Sequence, residues 1–362
     1  MRILFIASQH ADHPRVKHIL SSIGQNFEVA AISSRLPIYA LRIPLVLARF
    51  FFAKRNSYDV VVIGFLPQPL MPVVAKLWQG RIVADVFYSL YDTVVSDRKL
   101  VQPKSFLARL CRRLDRFTLQ RADRVITDTQ SHGKYMAHEF GISEEKIFRV
   151  LIGAGDEFAE QPLAPISLKE GELFRVLFFG TFIPLQGVDV IIRAASILKD
   201  EHIQFMLVGD GQTHTAAKNL VRELALKNVE FLGRKSTAEL RKVATHSHAI
   251  LGIFGTSSKA LRVIPHKAFE ALALNRPLIT ARTAASEELL TDGRDVMFCS
   301  PGDPVDLAKK ILWLRDNYSA GQVISNAGRE TFMGRAASAN IAEQLRLALK
   351  DVNRQQGPIE LS

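Results

Sequence analysis

The residues best equipped for chemistry lie between Lys259 and Thr280, where Lys259, Arg262, Pro265, His266, Lys267 and Glu270 follow an apolar strand, Ala249 to Phe254. Pro265 opens a helix that runs to about Leu274, a place that suits proline because the first helical N–H has no partner. Asn275-Arg276-Pro277 stops the helix, and Pro-Leu-Ile-Thr reads as the next strand. A helix N-terminus carries unpaired N–H groups and about half a positive charge, so it attracts anions. Lys259, Arg262 and Lys267 add full charges near the same point. Glu270 falls one turn after His266 on the same face, where a carboxylate can accept two hydrogen bonds from a sugar diol such as a ribose. A diphosphate beside a ribose is a nucleotide. An ordinary amphipathic helix with a solvated basic start fits the same local spacing.

The other candidate groups also stand where strands give way to loops. Ser8-Gln9-His10, followed by Asp12-His13-Pro14-Arg15, closes the first apolar run and lacks the G-x-G-x-x-G of a dinucleotide site. His10 is a candidate acceptor-site residue or a solvated loop histidine. After the fourth run come Asp85, Ser89, Asp92, Asp97 and Arg98, and carboxylates there suit recognition of sugar hydroxyls or simple capping. Later, Gly180 and Gly187 bound a loop before a helix, where backbone N–H groups can approach a phosphate. Gly209-Asp-Gly211 and Gly233-Arg234-Lys235 end two further runs.

These loops need strands behind them. Residues 2–7, 27–32, 58–64, 81–86 and 124–128 read as short apolar strands separated by amphipathic stretches, and Phe174 to Phe179 begins a second such series. The alternation implies parallel sheets covered by helices, which bind ligands at the carboxyl ends of their strands. Length favours two domains, 1–162 and 172–335, with Gln161 to Gly171 as the linker and a helix at about 336–352 crossing back to the first. Helices are also expected at 237–245, 285–290, 304–315 and 319–332, with Gln355 to Ser362 frayed.

The chain is 48% hydrophobic and 23% charged, a globular balance, and its net charge is +11. Residues 1–160 hold 22 Lys+Arg against 15 Asp+Glu, so the excess sits in the first half. No nucleic-acid module is present, which leaves an anionic membrane surface as the partner for that charge. Residues 37–55 are aromatic and apolar with only basic charges. Residues 98–124 carry nine basic residues and two acids, with Leu107, Leu110, Leu114, Phe117 and Leu119 as an apolar stripe. Each suits a membrane interface, or a helix of the fold. No uncharged apolar run reaches the roughly 18 residues a spanning helix needs. Cys111 and Cys299 lack zinc spacing and read as buried or free thiols of a reducing compartment.

Arg262-x7-Glu270 followed by Ala-Leu-Ala-x-x-x-Pro-Leu-Ile, with Pro265-His-Lys267-Ala-Phe-Glu270 inside it, resembles the donor-site segment of family 4 glycosyltransferases. Asp85-Val-Phe-Tyr-Ser-Leu-Tyr-Asp92-Thr, Arg121-Ala-Asp-Arg-Val-Ile-Thr-Asp-Thr and Gly209-Asp-Gly211 resemble the same family in the same order. The resemblance implies the GT-B fold, two Rossmann-like domains facing across a cleft, and sugar transfer with retained configuration. It implies donor contacts from Gly180, Thr181, Gln186, Gly187, Gly209, Gly211, Arg234, Lys235, Lys259, Arg262, Pro265, His266, Lys267 and Glu270. It implies acceptor contacts from His10, Arg15, Ser89, Asp97 and Arg98, and a catalytic part for Asp85, Asp92 and Glu270. No metal or other cofactor is expected, the nucleotide-sugar being a substrate. The acceptor is expected to be lipid-linked, for cell-envelope polysaccharide or glycolipid synthesis, on the cytoplasmic face of the membrane. The chain departs from the family at Thr181 and Gln186, where an Arg and a Lys are usual. That departure keeps open a catalytically degenerate binding subunit, beside another GT-B enzyme such as an epimerase.

Overall fold

The computed structural model of the chain describes residues 1–169 and 171–354, the side chains of 351–354 excepted. The expected fraying at Gln355 to Ser362 lies outside the described residues. The chain divides into two compact units, Met1–Ile152 joined by the C-terminal segment from Ser338, and Gly153–Ala337. The division falls earlier than residue 162.

In the first unit six parallel strands, β1 (Arg2–His10), β2 (Glu28–Ser34), β3 (Val60–Gly64), β4 (Arg81–Asp85), β5 (Arg124–Thr127) and β6 (Ile147–Arg149), lie in the order β2-β1-β3-β4-β5-β6. Val60-Val-Val-Ile63 is apolar at every position because a parallel strand is buried on both faces, and all four side chains are inaccessible. Helices Pro14–Gly24 and Ser338–Arg354 pack on each other. Helices Tyr39–Phe52, Met71–Leu77, Phe106–Arg121 and Gln130–Phe140 send Val46, Phe50, Met71, Val74, Leu119, Met136 and Phe140 into one core with Leu4, Ile6, Val61 and Ile63. The chain leaves β1 for β2 on one side and returns to β3 on the other, and that reversal marks where such sheets take ligands.

The second unit repeats the plan with β7 (Phe174–Phe179), β8 (Ile203–Val208), β9 (Val229–Gly233), β10 (Ala249–Leu251), β11 (Leu278–Ala281) and β12 (Met297–Cys299), in the order β12-β11-β10-β7-β8-β9. Here the reversal lies between β7 and β10. The functional helix spans His266–Ala273 and packs on helix Tyr318–Arg335. Pro265 is its N-cap rather than its first residue. Asn275 ends it in the left-handed region at φ 58°, a conformation asparagine tolerates, and Arg276 N donates to Ala271 O at 3.1 Å.

Three further expectations change. The helix expected through 98–124 begins only at Phe106, where the Ser105 hydroxyl accepts from Ala108 N at 3.1 Å; Asp92–Asp97 before it forms a π-helical turn, a form frequent at functional sites. That helix buries Ala108, Asp115, Thr118 and Leu119, so most of the expected apolar stripe points elsewhere. The proline-rich segment read as a linker is stitched to the second unit: Leu163 N donates to Leu274 O at 3.0 Å and Gln322 donates to Ile166 O.

Arg276 adds to that stitching through Ala164 and ties it to two further segments of the unit. It is buried, and its guanidinium donates to the carbonyls of Ala244 (3.3 Å), Asn275 (3.2 Å), Ala164 (3.0 Å) and Thr245 (3.4 Å). Arg276→Met keeps the bulk and strands these acceptors, so urea denaturation should show a loss of about 2–4 kcal/mol. A loss below about 1 kcal/mol would mean that water replaces the guanidinium at little cost.

Candidate functional site

At the reversal of the second sheet, backbone turns press together. Gly209 (φ 134°) follows β8, and a Cβ there would lie 1.9 Å from Gly180 O, so only glycine lets the turns after β7 and β8 nest. Gly180 N donates to Val208 O and Phe182 N to Asp210 O, both at 3.0 Å, with Gly211 in the same turn. Gly187 (φ 64°) would drive a Cβ to 2.6 Å from Gly255 N, which fixes the loop Gly180–Gly187 against the chain leaving β10. The glycines bring three loops to one point.

Lys267 occupies that point. From the first turn of helix His266–Ala273 its ammonium donates to Gln186 Oε1 and sits 3.6 Å from the centre of the Phe178 ring. It is buried, and a Cβ on Gly180 would come within 3.1 Å of its Nζ. Burial pushes the ammonium well below its usual pKa, and Glu270 pulls it back. Glu270 keeps some surface, yet burial pushes its carboxyl up to about 7, against Lys267 and with help from the negative charge of Glu157. Glu157, in the short helix Asp156–Ala159, is a neighbour the sequence reading missed. Its only signal was the Gly155-Asp156-Glu157 turn.

The other donor candidates are dispersed by exposure. Thr181, Arg234 and Lys235 are exposed, and Arg234 Nε lies 3.6 Å from Asp210 Oδ2. Lys259 is buried, while Arg262, Pro265 and His266 are half-buried. Lys259 precedes a single 3₁₀ turn, Ala260–Arg262, that leads the chain toward the helix start.

In the first unit the loops after β1, β3 and β4 form a second cluster. Arg15 is fully buried and grips Asp85 with two bonds, Nε to Oδ2 at 3.2 Å and Nη2 to Oδ1 at 2.8 Å. Asp85, expected among the catalytic groups, is therefore a buried anchor for Arg15: both carboxyl oxygens are engaged. Arg15 stacks on Phe87 at 5.2 Å, and its Nη1 is buried with no hydrogen-bond partner in the protein. His13 caps helix Pro14–Gly24 by accepting from Arg15 N at 3.2 Å and lies tilted against the Phe65 ring at 4.4 Å, and burial pushes its pKa down to about 4. His10 lies at the edge, 2.9 Å from Arg35 O.

Ser89, Asp92 and Asp97 are buried and Arg98 half-buried, so none of these acceptor or catalytic candidates projects freely. Their loop is held by Asp115, which accepts from Gln68 Nε2 (2.9 Å), Ser89 Oγ (2.8 Å), Leu90 N (2.9 Å) and Tyr91 N (2.8 Å). No local pattern signals this, since Asp115 reads as one acid in a basic helix. Among the described residues no three His, Cys, Asp or Glu side chains gather as a metal site would need.

Two doubly wound parallel sheets, with glycine turns and a cationic helix start at the second reversal, define a protein of the GT-B class. The comparisons agree. The description "Glycosyl transferases group 1" matches residues 174–317, and "Glycosyl transferase 4-like domain" matches residues 4–153. The chain belongs to the group 1 glycosyltransferases. It is 30% identical over 165 residues to an uncharacterized glycosyltransferase of Methanocaldococcus jannaschii, covering 46% of this chain and 45% of that one. It is 26% identical over 184 residues to a lipopolysaccharide core biosynthesis glycosyltransferase of Rhizobium meliloti, covering 50% and 51%. The chain thus spans about half the length of the curated relatives it matches. Among solved structures, Anabaena HepE in complex with UDP superposes with a TM-score of 0.70 at 16% identity, over 97% of this chain and all of that one.

The raised Glu270 carboxyl has a consequence for stability. Its ordinary value is 4.5 and its folded value about 7. Between these the unfolded chain is ionised while the folded chain keeps its proton, so stability falls as pH rises through this window. Glu270→Gln removes that loss. Relative to wild type, the variant should gain about 2 kcal/mol between about pH 4.5 and about pH 7.5 in urea denaturation. An equal difference at both pH values would show that the carboxyl ionises normally.

Proposed function

We propose that the chain transfers a hexose or N-acetylhexosamine, with retained configuration, from a nucleotide-sugar to a lipid-linked glycan acceptor. The observation that carries the reading is the Lys267 ammonium, buried at the second reversal between a neutral amide and a ring face. Such an amine gains from an anion that restores its charge, and a diphosphate is that anion. The helix N-terminus adds its N–H groups, and Glu270 accepts from the ribose hydroxyls. As the bond from the anomeric carbon to the diphosphate breaks, the electrons move to the leaving oxygen. Lys267 and the helix start stabilise that charge while the acceptor hydroxyl oxygen bonds to the same carbon on the same face and its proton passes to the leaving diphosphate oxygen. No metal is assigned a role.

The relatives' names support a place in cell-envelope or lipopolysaccharide-type synthesis. A lipid-linked acceptor puts the protein at an anionic membrane surface, peripherally on the cytoplasmic face. Among the described residues no helix is long and apolar enough to cross a membrane. One observation favours a second reading, a binding subunit without turnover: Thr181 and Gln186 replace the family's two cations.

A thermal-shift screen with UDP, GDP and ADP tests the donor site. One nucleotide at 100 times its dissociation constant should stabilise the protein by about 2.7 kcal/mol, and Glu270→Ala should abolish the response. Lys267→Met should lower turnover roughly 10²–10³-fold in a nucleoside diphosphate release assay. Binding without turnover in wild type would overturn the transfer, and no response to any nucleotide would overturn the donor site and select the second reading.

A further inference from the structure

Helix Tyr39–Phe52 buries Arg42, Val46 and Phe50 and turns Leu41, Pro44, Ala48, Phe51 and Phe52 outward. Their spacing of three and four puts them on one face, which carries no charge. Phe52 is 82% exposed, Phe51 54% and Leu41 52%. Helix Phe106–Arg121 does the same: Phe106 (70% exposed), Leu110 and Phe117 share its outward face, opposite the buried Asp115 and Thr118. Arg109, Arg113 and Arg116 stand exposed beside that face, while Arg112 pairs with Glu139 at 2.6 Å. Both helices belong to one layer, since Val46, Phe50 and Leu119 enter the same core on one side of the first sheet. Large apolar side chains so exposed cost free energy in water unless something covers them.

We infer that this layer of the first unit docks on the surface of an anionic lipid bilayer, with Phe51, Phe52, Phe106 and Phe117 entering the headgroup region and the flanking arginines meeting lipid phosphates. Charge selects this occupant. The phenylalanines suit any apolar cover, but a twofold contact between copies would set the arginine rows against each other, which like charge opposes. A bilayer supplies both the apolar depth and the counter-charge. The inference deepens the proposed function by naming where lipid meets the chain, and it rests on that reading only for the lipid-borne acceptor.

Sedimentation of the full chain with vesicles tests it. Wild type should bind phosphatidylcholine vesicles containing phosphatidylglycerol, bind pure phosphatidylcholine weakly, and release in high salt. The pairs Phe51→Ser with Phe52→Ser, and Phe106→Ser with Phe117→Ser, should each weaken binding at least roughly tenfold. Arg109→Gln with Arg113→Gln should weaken only the anionic component, roughly fivefold per charge. All six positions are exposed; an unchanged thermal midpoint shows that a variant is folded, and the nucleotide response of the second unit reports the donor site separately. Equal binding to both vesicle types, binding unaffected by the serine pairs, or a wild-type dimer that the serine pairs dissolve would each overturn the inference.

Discussion

A cation kept out of water sets the terms for the second unit. Lys267 is surrounded by Phe178, Gln186 and the turn at Gly180, and none of these offers a counter-charge. Glu270 is the near carboxylate, and it too is pushed toward its neutral form. A buried pair in which both partners tend to neutrality contributes little to stability. It makes sense as a place held for a ligand that brings its own charge. The glycine turns follow from the same need: side chains at Gly187 or Gly209 would hold apart the loops that enclose the ammonium.

The first unit solves a related problem in the opposite way. Arg15 is equally removed from water but is paired with Asp85 through two bonds, so its orientation is fixed. Its remaining nitrogen has a set direction and no protein partner. One unit thus holds a cation against an amide and a ring face, and the other a cation locked to its carboxylate.

The parallel sheets were legible because buried parallel strands read as unbroken apolar runs, Val60 to Ile63 above all, and because the family's segments occur in order. Lys267 and Glu270 were legible from helical spacing. Other features depend on long-range contacts that no local pattern carries. Asp85 looked like a cleft carboxylate, and only the fold reveals Arg15 upon it, 70 residues earlier in sequence. Arg276 looked like part of a helix stop, yet it gathers carbonyls from three separate segments. The linker was misplaced for the same reason: prolines suggested an unpaired strap, and the hydrogen bonds from Leu163 and Arg276 tie it to a core.

Helix Phe106–Arg121 shows how one buried polar group can reset a whole face. Pattern alone turns the leucines and phenylalanines inward, because apolar burial is the usual driving force. Asp115 overrides it. Burial pushes its carboxyl up, and four donors from Gln68, Ser89, Leu90 and Tyr91 oppose that shift. Losing them would strand buried N–H groups in the loop after β4, at about 1–3 kcal/mol each. Fixing Asp115 inward fixes the helix's rotation about its axis, and Phe106, Leu110 and Phe117 must then face out. The loop that follows the β4 carboxylate and the apolar outer face are therefore two results of a single constraint. A change that frees Asp115 would disturb both together, which ties the geometry of the loop after β4 to the surface the helix presents.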